Sequence, residues 1–372
     1  MKRMKRMNKW IILAVLLASF IIIGCNSGTD GSGEGSLSLS LTDSAISGVE
    51  EVWVTIAEIQ VHSSEDGWFS LESDVDFPIT VDLLTLQNGI VESLGLSDIP
   101  EGHYTQIRLY LGAEIDPAMV NPPPYPNCIF DGTDYQELTI PSGFQSGIKL
   151  VHPFDIESGA TCELTLDFDA SRSIHRTGSG VYKMRPTIKV VATASSGSVS
   201  GQAEPEPGAI VMAQQTAADT CGGIDLVQTT TANADGSYQL AYLEPGSYTV
   251  VVIRDGFSIA VEADVQVEAG VENTGHDFTL TALENGDAFH SISGTVSNVP
   301  TDETANPRVI AITEIDSNSV AADQSNISTE DGSYILNVPP GDYILYFCTQ
   351  GENPVEEPVV VDQDDVTLDT GF

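Results

Sequence analysis

The sequence predicts an all-β protein, three tandem β-sandwich domains behind an export signal and a flexible tether. Three observations carry this. The stretch Asp235 to Val250, D-G-S-Y-Q-L-A-Y-L-E-P-G-S-Y-T-V, sets Tyr238, Leu240 and Tyr242 in alternation between two turn dipeptides, which is the period of a half-buried strand. It returns at Asp331 to Leu345 as D-G-S-Y-I-L-N-V-P-P-G-D-Y-I-L, an internal repeat whose opening glycines, Gly201 and Gly294, lie 93 residues apart. Looser copies at Asp66-Gly67-Trp68 and Pro100-Glu101-Gly102-His103-Tyr104 extend the same pattern into the first half. Each full copy reads as a hairpin: strand, turn, strand.

The chain opens with M-K-R-M-K-R-M-N-K-W, followed by an apolar run from Ile11 to Ile23. About 13 apolar residues are too few to span a bilayer, which takes roughly 20, so residues 1–24 read as a signal peptide that is removed. The ending Ile22-Ile23-Gly24-Cys25 resembles the bacterial lipobox. That resemblance implies lipidation of Cys25, which makes the membrane a partner, and Asn26 after it implies the outer membrane. Whether the chain then faces the periplasm or the cell surface stays open. Residues 25–36 hold almost nothing to bury and read as a lipidated flexible tether.

Without residues 1–24, nine Lys+Arg remain against 54 Asp+Glu, a net charge of −45. Such a surface excludes nucleic acid as a partner. Seven of the nine basic residues fall between Arg108 and Lys189, and 29 acids follow Ser196. Carboxylates at this density suit Ca²⁺ or a solvated surface in a salty medium. With no D-x-D-x-D-G loop, the solvated surface is the preferred reading, and no cofactor is expected.

Residues 37–195 form the first domain. Val52, Val54 and Ile56 alternate, then Ile59 and Val61 resume out of step, predicting a bulge near Ala57-Glu58. If Val61 and Phe69 face inward, Trp53, Gln60, His62, Trp68 and Ser70 share the other face. Trp53 and Trp68 are candidates for stacking on sugar rings, unless a second layer covers them. Asp82 to Leu86 is the best candidate for a short helix, and Tyr104 to Leu111 the next long strand. Tyr125, in the stiff N-P-P-P-Y-P loop, is either presented outward or part of a bridge between strands. Asp167 and Asp169 alternate with Leu166 and Phe168, placing two carboxylates on one face expected to meet solvent. They suit a cation or a paired-carboxylate site, but with Arg172 beside them a local salt-bridge cluster is the better reading. Cys128 and Cys162 are expected to bridge, stapling the proline-rich loop to the core. Cys348 aligns with Ile253 of the other repeat and reads as a small apolar residue, a bridge to Cys221 being disfavoured because it would cross domains.

The segments L-S-L-S-L-T-D-S-A from Leu37, I-P-E-G-H-Y-T-Q-I-R-L from Ile99, I-P-S-G-F-Q-S-G-I-K-L from Ile140, L-D-F-D-A-S-R-S-I from Leu166 and Y-K-M-R-P-T-I-K-V from Tyr182 resemble domain-of-unknown-function family 4382 of bacterial lipoproteins. The resemblance implies an exported β domain and no particular activity.

The repeats occupy residues 196–283 and 288–372. S-V-S-G-Q-A at Ser198 matches S-I-S-G-T-V at Ser291. Tyr248 to Ile253 and Tyr343 to Cys348 are apolar on both faces, which marks strands buried on both sides or facing a neighbouring layer. The pattern G-x-V, D-G-x-Y-x-L, P-G-x-Y-x-V resembles the transthyretin-like, carboxypeptidase-regulatory-like domains, whose fold some starch-binding modules share. It implies a Greek-key sandwich that serves as a spacer or, in some members, binds glycans or proteins. No H-E-x-x-H, G-x-S-x-G, Walker or dinucleotide motif occurs, and the histidines are scattered, so an enzyme is not expected. The expected function is a non-catalytic cell-envelope lipoprotein, an interaction or scaffold module. The alternative is a carbohydrate-binding surface lipoprotein using the exposed aromatics of the first domain.

Overall fold

The protein is seen as a computed structural model that describes residues 33–46, 48–140, 146–205, 207–217, 221–283, 288–301, 305–350 and 352–372. The expected signal peptide, Cys25 and most of the expected tether lie outside the described residues. Residues 33 to 372 form one compact unit, and it is built almost wholly of strands.

The first sandwich packs a four-stranded sheet on a seven-stranded one. The four-stranded sheet runs Ile188–Ala192, Thr161–Asp169, Glu34–Ser44, Glu92–Pro100, with Glu34–Ser44 and Thr161–Asp169 parallel. The larger sheet centres on Glu51–Ser63, which pairs with Gly67–Ser70, Ile79–Asp82, Gly102–Leu111 and Cys128–Phe130. Leu37, Leu39 and Leu41 from one sheet meet Val52, Val54, Ile107 and Leu109 from the other in a core that excludes water. The expected bulge appears as a register shift between Ile56 and Glu58. Asp82 caps a short 3-10 turn, Leu83–Thr85, accepting from the Leu84 amide.

Both repeats have one topology. In the first, Ser237–Leu243, Gly197–Glu204 and Glu272–Thr274 oppose Ile224–Thr231, Ile210–Thr216, Gly246–Ile253 and Ala260–Val267. In the second, Ser333–Val338, His290–Ser297 and Val366–Thr367 oppose Asn318–Asn326, Arg308–Ile315, Gly341–Cys348 and Val355–Val361. Gly201 and Gly294 are glycines because backbone crosses directly over them. A Cβ would sit about 2 Å from the carbonyl oxygens of His276 and Leu368.

The repeated stretch is not a hairpin, contrary to expectation. Ser237–Leu243 and Gly246–Ile253 join opposite sheets, as do Ser333–Val338 and Gly341–Cys348. The Pro-Gly step is therefore a corner between layers, pinned by the tyrosine that follows. Tyr248 donates to the Glu244 carbonyl at 2.7 Å, Tyr343 to Pro339 at 2.8 Å, and in the first sandwich Tyr104 to Pro100 at 2.9 Å. Each hydroxyl reaches back four residues, so the otherwise buried ring keeps its polar end satisfied while it fills the core.

The strands apolar on both faces explain how the repeats join. Val250 and Val252 fill the core of their own sandwich, while Val251 and Ile253 face outward into a second core with Met212, Leu226, Ile310, Ile312 and Val320. Gln214 is buried inside this interface and satisfied at both ends by one residue, donating to the Ala321 carbonyl at 2.7 Å and accepting from its amide at 3.0 Å. Cys221 and Cys348 are disulfide-bonded across it, with Cα atoms 5.7 Å apart.

This corrects the cysteine expectation. Cys128 and Cys162 are free, because Cys128 pairs beside Trp53 in the seven-stranded sheet and Cys162 beside Leu37 in the other. Facing sheets stand about 10 Å apart, beyond the roughly 7 Å between Cα atoms that a disulfide spans. Peptide mapping of non-reduced protein is expected to recover Cys221 linked to Cys348, with Cys128 and Cys162 as free thiols and the buried Cys128 alkylated only after denaturation. A linked Cys128–Cys162 peptide would contradict the fold.

Candidate functional site

The residues singled out by sequence fall into two regions, the outer face of the seven-stranded sheet and the seams where the sandwiches meet. On the outer face the strand pairing is a grid. His62 lies opposite Trp68 and Gln106, Gln60 opposite Ser70 and Arg108, and Arg108 opposite Lys149. Arg108 reaches across the sheet and lays its guanidinium over Trp68, 3.9 Å from the ring centroid, while His62 meets the ring edge-on at 5.1 Å. Arg108 also donates to the Tyr110 hydroxyl at 3.2 Å. Trp68 is thus half-exposed, framed on one face by a cation and left without a covering sheet.

Trp53 belongs to a different place. It pairs with Asp82 and Cys128, and its indole donates to Glu51 at 2.6 Å, a carboxylate that also accepts from the Tyr135 hydroxyl at 2.7 Å. Nine residues separate Trp53 from His62, the partner of Trp68, which is roughly 30 Å along an extended strand. The two tryptophans are therefore not one platform. Tyr125 is exposed, but its loop is anchored at its end by Asn127, which accepts from the Thr55 amide at 3.1 Å and donates to the Gly112 carbonyl at 2.8 Å. The loop bridges strands.

Asp167 does not face solvent. The second sandwich covers it, Gln228 donating to its carboxylate at 3.3 Å, and burial followed by the charge of Asp169 pushes its pKa up to about 7. Asp169 caps the helical turn Ala170–Ser173, accepting from the Arg172 amide at 2.9 Å and the Ser171 hydroxyl at 2.7 Å, and pairs with the Arg172 side chain at 3.2 Å. Asp169 thus forms a local salt bridge with Arg172, while Asp167 lies in the seam beneath Gln228. Among the described residues no group of three or more His, Cys, Asp or Glu side chains is arranged to hold a metal ion.

The seam residues escaped the sequence reading. Asp43 continues the inward face of Leu37, Leu39 and Leu41 and is 2% exposed. Burial, then the charge of Asp169, raises its pKa well above the carboxylate range, although the Ala170 amide donates to it at 3.1 Å. Asn88, held at a positive φ of 57°, clasps the second sandwich. It donates to the Thr231 carbonyl at 2.9 Å and accepts from the Thr230 hydroxyl at 3.0 Å and the Gln239 amide at 2.9 Å. The D-G turn of the second repeat docks on the first sandwich in turn, Asp331 accepting from the Gly178 amide at 2.9 Å. Where all three sandwiches meet lies a cleft of about 260 Å³, lined by Ile46 and His175 from the first, Met212 and Leu226 from the second, and Asp323 and Asn337 from the third. Burial lowers the His175 pKa to about 4 and raises that of Asp323 to about 7.

Residues 34–186 match the family model of a domain of unknown function, DUF4382, and residues 195–281 match that of the carboxypeptidase regulatory-like domain. The two matches follow one another along the chain in that order. No curated protein matches it. Solved structures similar to it include the Bacillus anthracis TIE protein, at 13% identity over 91% of this chain and 50% of that one, with a TM-score of 0.19. The chain thus spans half the length of that protein. The Streptococcal ancillary pilin is similar at 10% identity over 90% of this chain and 98% of that one, TM-score 0.20. The minor pilin GBS52 of Streptococcus agalactiae is similar at 12% identity over 47% and 94%, TM-score 0.19. Likenesses at such TM-scores carry nothing about what this chain does.

The buried carboxylates set a pH dependence whose sign is fixed. Asp167 and Asp323 keep their protons in the native state up to about pH 7, whereas the unfolded chain releases its own near pH 4. The native state then binds more protons in this window, so stability falls as pH rises from about 4 to about 7. Asp167→Asn is expected to flatten that fall, raising the melting temperature at pH 8 by a few degrees and changing little at pH 4. Equal pH slopes in the two proteins would refute the buried, protonated carboxyl.

Proposed function

We propose that this chain is a non-catalytic lipoprotein of the cell envelope, tethered through a lipid on Cys25, in which three joined sandwiches serve as an interaction or scaffold module. The observation that carries this reading is the way the sandwiches are joined. Apolar faces, a disulfide and buried amide clasps are spent on making one body, as suits a module that holds a surface in fixed geometry. The buried carboxylate of Asp167 lies in a seam, where Gln228 of the second sandwich donates to it. The acidic surface adds solubility and electrostatic exclusion of other polyanions. In cells fed a labelled fatty acid, the full chain is expected to take up label and sediment with membranes, and Cys25→Ser to do neither. Membrane retention of unlabelled Cys25→Ser would remove the lipid anchor from this reading. Protease treatment of whole cells separates the two orientations, cleavage in intact cells marking surface exposure.

A second reading, carbohydrate binding, is favoured by one specific feature: the half-exposed Trp68 with Arg108, His62 and Tyr110 around it on an uncovered sheet. Aromatic and hydrogen-bonding side chains on a rigid sheet are what a sugar ring needs. On a glycan array, Trp68→Ala is expected to reduce any binding at least tenfold and Trp53→Ala to leave it unchanged. Binding that survives Trp68→Ala would retire this face as the site.

A further inference from the structure

Positions at which the two repeats agree make the fold, and a departure at one matched position needs another explanation. The pairing sets Arg308 opposite Asn326 and Cys348 as it sets Ile210 opposite Thr231 and Ile253. An arginine therefore stands where the first repeat has an apolar residue, continuing the outward face of Ile310 and Ile312. It is drawn against the first sandwich rather than into open water. Burial, followed by the charge of Arg172, lowers its pKa, with Asp225 opposing.

The neighbouring charges are already engaged. Arg172 holds Asp169 at 3.2 Å and Asp225 at 3.0 Å, and Lys183 holds Glu330. Arg308 makes no ion pair or side-chain hydrogen bond with any described residue. It shares with Arg172 a pocket of about 50 Å³ in which every lining residue is polar, among them Thr187, Asn306 and Gln324. A second pocket of about 80 Å³ adjoins it through Asn306 and Asn326 and adds His175, Lys183 and Arg185 together with Glu330, the partner of Lys183. Four of the nine Lys and Arg that follow Cys25 thus gather on one seam of a strongly acidic chain.

Two guanidinium groups repel across such a pocket, and an anion between them turns the repulsion into attraction. Arginine forks match the oxygens of sulfate, phosphate and carboxylate, and hydroxyl and amide donors complete the set. A cavity of about 10–15 Å³ already holds one water, so this space has room for a single small oxyanion rather than a chain of them. We propose that the seam between the first and third sandwiches is an anion site in which Arg308 and Arg172 hold one oxyanion group, a sulfate, a phosphate or a carboxylate, free or borne by a larger ligand.

The test is thermal melting of the full chain in sodium chloride, sulfate, phosphate and acetate at matched ionic strength, for the natural protein, Arg308→Gln and Arg308→Lys. At least one oxyanion is expected to raise the melting temperature over chloride by a few degrees, saturably. Arg308→Gln should lose that increment and Arg308→Lys keep part of it. General salting-out acts on all three proteins alike and cancels in the comparison. A response to sulfate and phosphate alone assigns a tetrahedral anion, and one to acetate a carboxylate. Thr187→Val, which leaves both guanidinium groups in place, should raise the half-saturating concentration several-fold without altering the melting temperature in chloride. The proposal is overturned if Arg308→Gln shows the same increments as the natural protein, or, should that variant not fold, if Thr187→Val leaves every oxyanion response unchanged.

Discussion

The rest of the structure depends on one shared apolar interface, the outward faces of Gly246–Ile253 and Gly341–Cys348 with their sheet neighbours. A sandwich needs only its inner faces to be apolar. Val251, Ile253, Ile310 and Ile312 left in water would form a contiguous hydrophobic patch of the kind that drives association. Each fully buried Val or Ile contributes about 1.5–3 kcal/mol, against about 1 kcal/mol net for a typical hydrogen bond. Burial therefore holds the repeats together, and Gln214 and the disulfide fix their register. With the repeats fixed, the first sandwich has a defined surface to close against, and it does so with polar clasps: Asn88 on the second sandwich and Gly178 on the third.

Much of the fold was legible because its rules are local. Alternation of apolar residues, the D-G turns and the recurring tyrosine all read directly from the chain, and strands apolar on both faces announced a second interface. What did not read was which sheet each strand would join. D-G and P-G dipeptides serve a hairpin and a corner equally well: Asp66-Gly67 closes a hairpin, while Asp235-Gly236 joins strands of opposite layers. At the Pro-Gly corners the signal is the tyrosine that follows, whose hydroxyl returns to a carbonyl four residues back.

The candidate sites were less legible, for a related reason. Strand parity states which face a side chain takes and is silent on what covers that face. Asp167 does lie on the outward face of its strand, but Gln228, 61 residues later, closes over it. Trp53 and Trp68 share a face yet not a neighbourhood, because pairing with His62 rather than Trp53 carries Trp68 to the far end of the strand. Cys348 looked like a substitute for Ile253, and it does occupy that position; the matched face is the one that meets Cys221. In a chain so rich in acids, the informative charges are the few cations, and the grouping of Arg172, Lys183, Arg185 and Arg308 emerges only when the third sandwich docks on the first.

Small-angle X-ray scattering on residues 33–372 tests most directly whether the three sandwiches are one body. A compact chain of this length has a radius of gyration of about 20 Å. A value near that, unchanged by moderate salt, is what a shared apolar interface requires. A value of about 30 Å or more, the signature of sandwiches strung end to end, would contradict it.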